Sequence, residues 1–149
     1  MKILIVDDSY EARDVLRSFI EIHGHEVIEA VDGQDGLEKA KIHKPDLIIT
    51  DALMPKVDGF TLLRNIKMDP TLSSIPCVFY SAIYTGSKDR ELALSLGAEA
   101  FIEKPKTPDE FLEKIQTILE RKKQPAAQIE KRMIDDEKEF LESYSQTVV

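Results

Sequence analysis

The sequence opens with Ile3-Leu4-Ile5-Val6-Asp7-Asp8, four consecutive apolar residues that end in a pair of carboxylates. A second run of the same kind, residues 47–50, ends at Asp51. Continuous apolar runs of this length are typical of parallel strands that helices cover on both faces. Carboxylates placed directly after buried strands are unfavourable unless a cation or a reaction uses them. The two runs therefore predict a parallel sheet and a functional site at one edge of it.

Strand-like and helix-like segments alternate five times over residues 1–122, which we interpret as one domain. This alternation predicts an α/β fold, a flavodoxin-like, doubly wound (βα)5 arrangement with helices on both faces of a parallel five-stranded sheet. We expect the strand order 2-1-3-4-5, which is common for such folds. The predicted strands lie near residues 2–6, 26–30, 46–50, 76–80 and 99–102, and the predicted helices near 10–23, 34–43, 58–68, 87–96 and 108–122.

Charge and hydropathy narrow the classes of function. The net charge of the 149 residues is -8, and residues 121–149 carry equal numbers of basic and acidic side chains, so residues 1–120 carry all of it. An acidic body disfavours direct nucleic-acid binding, which needs basic faces, and suits a divalent cation. No apolar stretch approaches the roughly 20 residues that span a bilayer, and no signal peptide is recognisable. We expect a cytoplasmic protein without membrane insertion.

Residues 123–149 do not continue the alternating pattern, and we interpret them as a linker and an amphipathic connector helix. Apolar residues recur there at helical spacing, at Ile129, Met133, Phe140, Tyr144 and Val148. We expect a connector to a downstream output domain or a coiled-coil stalk of a homodimer. The alternative is a helix that docks on its own domain. The chain is then either a stand-alone protein or the first part of a longer one.

Polar residues follow four of the five predicted strands. Asp7 and Asp8 follow the first, Asp51 the third, Ser81 the fourth and Lys104 the fifth. Ligands of open parallel sheets bind beyond the carboxyl ends of the strands. With the order 2-1-3-4-5 these four ends are neighbours, so the sequence predicts a pocket that contains three carboxylates, a hydroxyl and an ammonium.

Three carboxylates within a few Å repel one another unless a cation lies between them. Mg²⁺ prefers oxygen ligands and retains several waters. We expect Asp8 and Asp51 as direct ligands, Asp7 as a ligand directly or through water, and a backbone carbonyl near Leu53 as a further ligand. Glycines that follow the second strand lack the pattern of a phosphate-binding loop, so Mg²⁺ is the only cofactor that the sequence predicts.

The same residues suit phosphoryl transfer. A carboxylate whose charge is partly neutralised can act as an oxygen nucleophile, which we assign to Asp51. The Ser81 hydroxyl and the Lys104 ammonium could then contact two oxygens of the transferred group.

The chain closely resembles the response-regulator receiver family of two-component signalling over about residues 1–122. The motifs that carry the resemblance are specific in combination although each alone is weak. They are Ile3-Leu4-Ile5-Val6-Asp7-Asp8, Asp51-Ala52-Leu53-Met54-Pro55, Asp58-Gly59, Ser81-Ala82, Gly97-Ala98 and Lys104-Pro105.

The resemblance implies that Asp51 accepts a phosphoryl group from the phosphohistidine of a sensor histidine kinase or a phosphotransfer protein. It also implies that Asp7 and Asp8 hold Mg²⁺, that Ser81 senses the phosphoryl group and that Lys104 contacts it. By the same resemblance, Phe101 turns inward when Ser81 moves, which changes the face of helix four, strand five and helix five. The family commonly has a cis peptide bond at the position of Lys104-Pro105.

Two further hypotheses stay open at this point. A degenerate receiver would act only as a protein-binding module, and the intact set of polar residues argues against it. A turnover phosphatase with an aspartate nucleophile places a second aspartate two residues after it, where this chain has Leu53.

Leu53 and Ile83 flank the expected path of the water that would hydrolyse the phosphoryl group. Their apolar side chains cannot orient this water by hydrogen bonds, which predicts a long-lived phosphoryl state.

Overall fold

The computed structural model describes residues 1–82, 87–104 and 106–123, and the side chains of Ser87, Lys122 and Lys123 are not described. The chain divides into two compact units, Met1–Phe111 and Leu112–Val149. The expectations for Ile83, for Pro105 and for a connector helix over residues 123–149 fall on side chains or residues outside the described part.

Five parallel strands form one sheet in the order β2-β1-β3-β4-β5, which confirms the predicted fold class and strand order. The strands are β1 (Lys2–Val6), β2 (Glu26–Ala30), β3 (Leu47–Thr50), β4 (Cys77–Ser81) and β5 (Ala100–Glu103). The helices are α1 (Tyr10–Ile22), α2 (Gly33–His43), α3 (Gly59–Met68), α4 (Ser87–Ser95) and α5 (Pro108–Lys123).

The register of the strands brings their carboxyl ends to one edge of the sheet. Val6 of β1 pairs with Thr50 of β3, and Ser81 of β4 pairs with Glu103 of β5. The residues that follow β3 and β5 therefore lie beside the end of β4, and those that follow β1 lie one strand further along the same edge. The sequence placed Ser81 just past β4, whereas it is the last residue of that strand.

Side-chain caps fix where the helices begin. Asp58 lies in extended conformation before α3 and its carboxylate accepts a hydrogen bond of 2.8 Å from the Thr61 amide. Thr107 accepts a 3.2 Å hydrogen bond from the Glu110 amide at the start of α5. Such caps satisfy amides that have no partner within the helix. The carboxylate of Asp58 thus caps the N-terminus of α3.

The central strands supply the core that holds this edge in place. Leu4, Ile48 and Phe79 are fully buried on β1, β3 and β4. Truncation of side chains buried in this way typically lowers the free energy of unfolding by about 2–5 kcal/mol. The edge strand β2 exposes Glu26. The site residues consequently project from a rigid scaffold.

The described part of the second unit is the helical segment 112–123. The buried residues of this segment are Leu112, Ile115 and Leu119, which follow one another at helical spacing. Within the described residues, none of the helices combines the length and the apolar character that a membrane span requires.

Candidate functional site

Three carboxylates lie together at the carboxyl edge of the sheet. Asp7, Asp8 and Asp51 each offer one oxygen atom, and these atoms lie within 4.8 Å of one another. Asp7 is buried, Asp51 is partly buried and Asp8 is exposed. An all-oxygen set that is anchored on one side and open to solvent on the other fits a hard divalent cation that retains water. The structure thus brings together the acidic residues that the sequence singled out.

Asp7 is held by two hydrogen bonds to its carboxylate. Its Oδ1 accepts from the Ser9 amide at 2.9 Å, and its Oδ2 accepts from Lys104 Nζ at 3.1 Å. With 3% of its surface exposed, Asp7 is the most buried of the three acids. A buried carboxylate needs such partners, so the ammonium of Lys104 offsets the burial of Asp7.

Arg13 of α1 holds the backbone of Asp7, and sequence reasoning missed it. Its Nη1 donates to the Asp7 carbonyl oxygen at 2.7 Å, while its Nε pairs with Glu29 Oε1 at 3.2 Å. Arg13 lies on the buried face of α1 together with Leu16 and Ile20. A charged residue at helical spacing with buried apolar residues is the signal that could have found it.

Asp51 follows β3 and is in contact with both of the other predicted polar residues. Its Oδ1 accepts a 2.5 Å hydrogen bond from the Ser81 hydroxyl and a 2.7 Å bond from the Ala52 amide. Its Oδ2 lies 3.8 Å from Lys104 Nζ. Ser81 is 1% exposed, so its hydroxyl needs a partner of this kind. The carboxylate of Asp51 is thereby fixed in orientation.

The loop after Asp51 packs closely against the start of α3. A Cβ added at Gly59 would overlap the carbonyl oxygen of Asp51, and the Gly59 amide donates to the Ala52 carbonyl at 2.9 Å. Only glycine, which has no Cβ, allows the backbone of residue 59 to lie this close to the Asp51 carbonyl. Leu53, in the same loop, has a 55% exposed side chain. The role of its carbonyl as a ligand stays a prediction.

Phe101 lies in the hydrophobic core. It is 7% exposed, and its ring centroid is 5.8 Å from that of Phe79, the residue opposite it on β4. Its side chain is therefore buried in this structure, and its role in a switch stays a prediction.

The fold and the site define a doubly wound α/β protein with an acidic pocket that is completed by a hydroxyl and an ammonium. The family model of the response regulator receiver domain matches residues 3–116. The chain therefore belongs to the receiver-domain family of two-component systems.

Curated relatives agree with this membership. The chain is 35% identical over 120 residues to the alkaline phosphatase synthesis transcriptional regulatory protein PhoP of Bacillus subtilis, a match that covers 80% of this chain and 49% of that protein. It is 33% identical over 124 residues to a probable transcriptional regulator, ycf27, of Cyanophora paradoxa, which covers 83% of this chain and 50% of that protein. The chain spans about half the length of these relatives.

Solved structures have the same fold. The signal receiver domain of a signal transduction histidine kinase from Syntrophus aciditrophicus is 31% identical, with a TM-score of 0.76 and coverage of 83% of this chain and 93% of that one. The chemotaxis protein CheY4 of Vibrio cholerae is 29% identical, with a TM-score of 0.73 and coverage of 78% and 97%.

Proposed function

We propose that Asp51 is the phosphoacceptor of this receiver and takes a phosphoryl group from the phosphohistidine of a sensor histidine kinase or a phosphotransfer protein. One observation carries the proposal. Asp51 is in contact with a buried hydroxyl, Ser81, and an ammonium, Lys104, at the point where its carboxylate meets those of Asp7 and Asp8. A nucleophile, two donors and a cation site are the parts that phosphoryl transfer requires.

Mg²⁺ fits the donor set of the acidic cluster. Asp7, Asp8 and Asp51 would hold it, together with the backbone carbonyl of Leu53, and all of these ligands are the hard oxygens that it prefers. When bound, Mg²⁺ supplies positive charge that offsets the repulsion among the carboxylates and the negative charge of the phosphoryl group.

The transfer exchanges one bond for another. A carboxylate oxygen of Asp51 forms a bond to phosphorus while the bond from phosphorus to the imidazole nitrogen of the donor breaks, and the electron pair of that bond stays on the imidazole. The other ring nitrogen of the phosphohistidine carries a proton throughout, so the products are an aspartyl phosphate and a neutral histidine. The Ser81 hydroxyl and the Lys104 ammonium, which now contact the two oxygens of Asp51, would each move to an oxygen of the phosphoryl group.

Movement of Ser81 is the proposed link to output. Ser81 is the last residue of β4, and Phe101 lies on β5 opposite the buried Phe79 of β4. A phosphoryl group that binds Ser81 better in one arrangement of these strands shifts the population toward it. The affected surface would include α4, β5 and the start of α5.

Residues 1–122 would act as the receiver, and residues 123–149 as a linker and connector helix to an output domain or to a second copy of the chain. The length of the relatives supports this, because the chain spans about half of them. The acidic charge of residues 1–120 supports a role that does not include direct nucleic-acid contact by the receiver itself.

Acetyl phosphate and Mg²⁺ test the phosphoacceptor. Intact-mass spectrometry should find one phosphoryl group on the wild-type chain and none on Asp51→Asn. Asp58→Asn is the matched control, because Asp58 caps α3 outside the cluster and asparagine also caps helices. A wild-type chain that stays unmodified, or an Asp51→Asn chain that is modified equally, would favour the protein-binding module instead.

A further inference from the structure

We propose that Tyr80 is a positioning residue for Lys104, and that its ring holds the ammonium beside Asp51 during phosphoryl transfer. The inference rests on the proposed function, because it concerns the same reaction. Tyr80 precedes Ser81 on β4, and the two side chains project from opposite faces of the sheet.

The ring of Tyr80 lies within the range of a cation–π interaction with Lys104. Lys104 Nζ is 5.3 Å from the ring centroid, and such contacts extend to about 6 Å. The same ammonium lies 3.1 Å from Asp7 Oδ2 and 3.8 Å from Asp51 Oδ2. Among the described residues, the ammonium of Lys104 is thus held by two carboxylates and by one uncharged group, the ring of Tyr80.

The hydroxyl of Tyr80 anchors the backbone at Lys106, and the carbonyl of the next residue, Ser81, anchors it at Lys104. The Lys106 amide donates to the Tyr80 hydroxyl at 3.3 Å, and the Lys104 amide donates to the Ser81 carbonyl at 3.0 Å. The ring of Tyr80 packs on that of Phe111 with a centroid distance of 4.5 Å. The ring is therefore held in place from α5 while it contacts the lysine.

A fixed ring matters because a lysine side chain is long and flexible. Its rotamer freedom is worth about 2 kcal/mol, which contacts must offset before the ammonium stays in one position. The Asp7 contact would weaken if Asp7 shared its oxygens with a divalent cation. The contact with the ring would not, since an aromatic ring is no ligand for that cation. The ring can therefore keep the ammonium near Asp51 when the transfer takes place.

A double-mutant cycle tests the inference on the full chain. The rate constant of phosphorylation by acetyl phosphate with Mg²⁺ is measured for Tyr80→Leu, Lys104→Met and the double variant. We expect Tyr80→Leu to slow the wild-type reaction about three- to fivefold, and to add no further loss in the Lys104→Met background. Equal losses in both backgrounds would mean that Tyr80 does not act through Lys104, and would overturn the inference.

Tyr80→Phe separates the ring from the hydroxyl. It keeps the ring and removes the acceptor of the Lys106 amide, so its rate constant should stay within about twofold of the wild type. A loss as large as that of Tyr80→Leu would assign the effect to the hydroxyl and overturn the inference.

A direct measurement covers variants that fail to fold or react too slowly. The ε-methylene protons of Lys104 should show an upfield ring-current shift in the NMR spectrum of the wild-type chain, with and without Mg²⁺. Absence of that shift overturns the inference. If the wild-type chain is not phosphorylated at all, the proposed function is wrong. If it is phosphorylated but Tyr80 and Lys104 are not coupled, only the positioning role of Tyr80 is wrong.

Discussion

Lys104 Nζ lies 3.1 Å from Asp7 Oδ2, although 97 residues separate the two in the chain. The ion pair joins the end of β1 to the end of β5, across the sheet edge where the other acids lie. Asp7 is also a proposed ligand of Mg²⁺. The ammonium and the divalent cation would therefore compete for the same carboxylate, so we expect Lys104 to have opposite effects on cation binding and on transfer.

Lys104→Met should raise the affinity for Mg²⁺ about five- to tenfold while it slows phosphorylation. The change removes a positive charge that lies a few Å from the cation site in a partly screened environment. NMR titration of the chain with Mg²⁺ gives the affinity. Lys106→Met, two residues further on, is the control and should stay within about twofold of the wild type. A weaker affinity in Lys104→Met would show that the lysine holds Asp7 in its binding position.

Arg13→Met should lower both stability and cation affinity. It leaves the Asp7 carbonyl without the 2.7 Å hydrogen bond from Nη1, and unpaired buried acceptors lower the free energy of unfolding by about 1–3 kcal/mol. Because the carbonyl belongs to a proposed ligand, the Mg²⁺ affinity should fall about tenfold.

Arg17→Met is the control for Arg13. Arg17 pairs with the same Glu29, at 2.9 Å, but its side chain is more exposed. Urea denaturation and Mg²⁺ titration of both variants should give a small loss of stability and an unchanged affinity for Arg17→Met. Equal effects of the two variants would place the role of Arg13 in its ion pair and not in its contact with Asp7.

Gly59→Ala should disturb the acidic cluster through the backbone. The added methyl group would overlap the Asp51 carbonyl oxygen, and crowding of this kind lowers stability by about 1–3 kcal/mol. Gly24→Ala is a matched control, because Gly24 has a φ of 86° and no atom near its Cβ position, so it loses about 1–2 kcal/mol through strain alone. Only Gly59→Ala should weaken Mg²⁺ binding. Equal affinities in the two variants would contradict this.

Thr71→Val should make the stability less dependent on pH in the acid range. The Thr71 hydroxyl donates to Asp69 Oδ1 at 2.7 Å and, with the Thr71 amide, holds the pKa of the Asp69 carboxyl below its ordinary value. A lowered pKa in the folded state adds stability above the ordinary carboxyl value and loses it as the pH falls through the folded value. The variant should thus be less stable than the wild type at pH 7, and the difference should shrink below about pH 4. Urea denaturation at both pH values measures it, and a constant difference would contradict the assignment.

Much of the fold followed from the sequence because its signals are local. Continuous apolar runs predicted β1 and β3, and the predicted helix near residues 108–122 corresponds to α5, which begins at Pro108. The strand order did not follow from local signals, since nothing in a strand's own residues states its neighbour. It came from the orders that are common for doubly wound sheets of this class.

The residues of the candidate site likewise fall into two groups, those that the sequence reveals and those that only the structure reveals. Asp7, Asp51 and Lys104 were recognisable because polar residues after apolar strands are conspicuous. Arg13 and Tyr80 were not, because each lies inside a segment that reads as ordinary helix or strand. Their importance comes from contacts with Asp7 and Lys104 that only the register of the sheet and the packing of α1 and β4 create.

Ser81→Ala should separate phosphorylation from the response to it. The variant removes the hydrogen bond to Asp51 Oδ1 but keeps the bond from the Ala52 amide and the contact with Lys104, so Asp51 should still accept a phosphoryl group. Without the hydroxyl, the end of β4 offers no side-chain donor that could bind the phosphoryl group. Phosphorylation should then shift the populations of the two arrangements of β4 and β5 less than in the wild type.

Backbone NMR shifts measure this response. On addition of beryllofluoride and Mg²⁺, the amides of Phe101 and Ile102 should shift in the wild-type chain and much less in Ser81→Ala, while intact mass confirms that acetyl phosphate still modifies both. Ser95→Ala is the control, because the Ser95 hydroxyl donates to the Leu92 carbonyl within α4, and it should behave as the wild type does. Full shifts at Phe101 in Ser81→Ala would mean that the signal reaches β5 by another route, with Lys104 as the next residue to test, since its backbone amide already bonds to the carbonyl of Ser81.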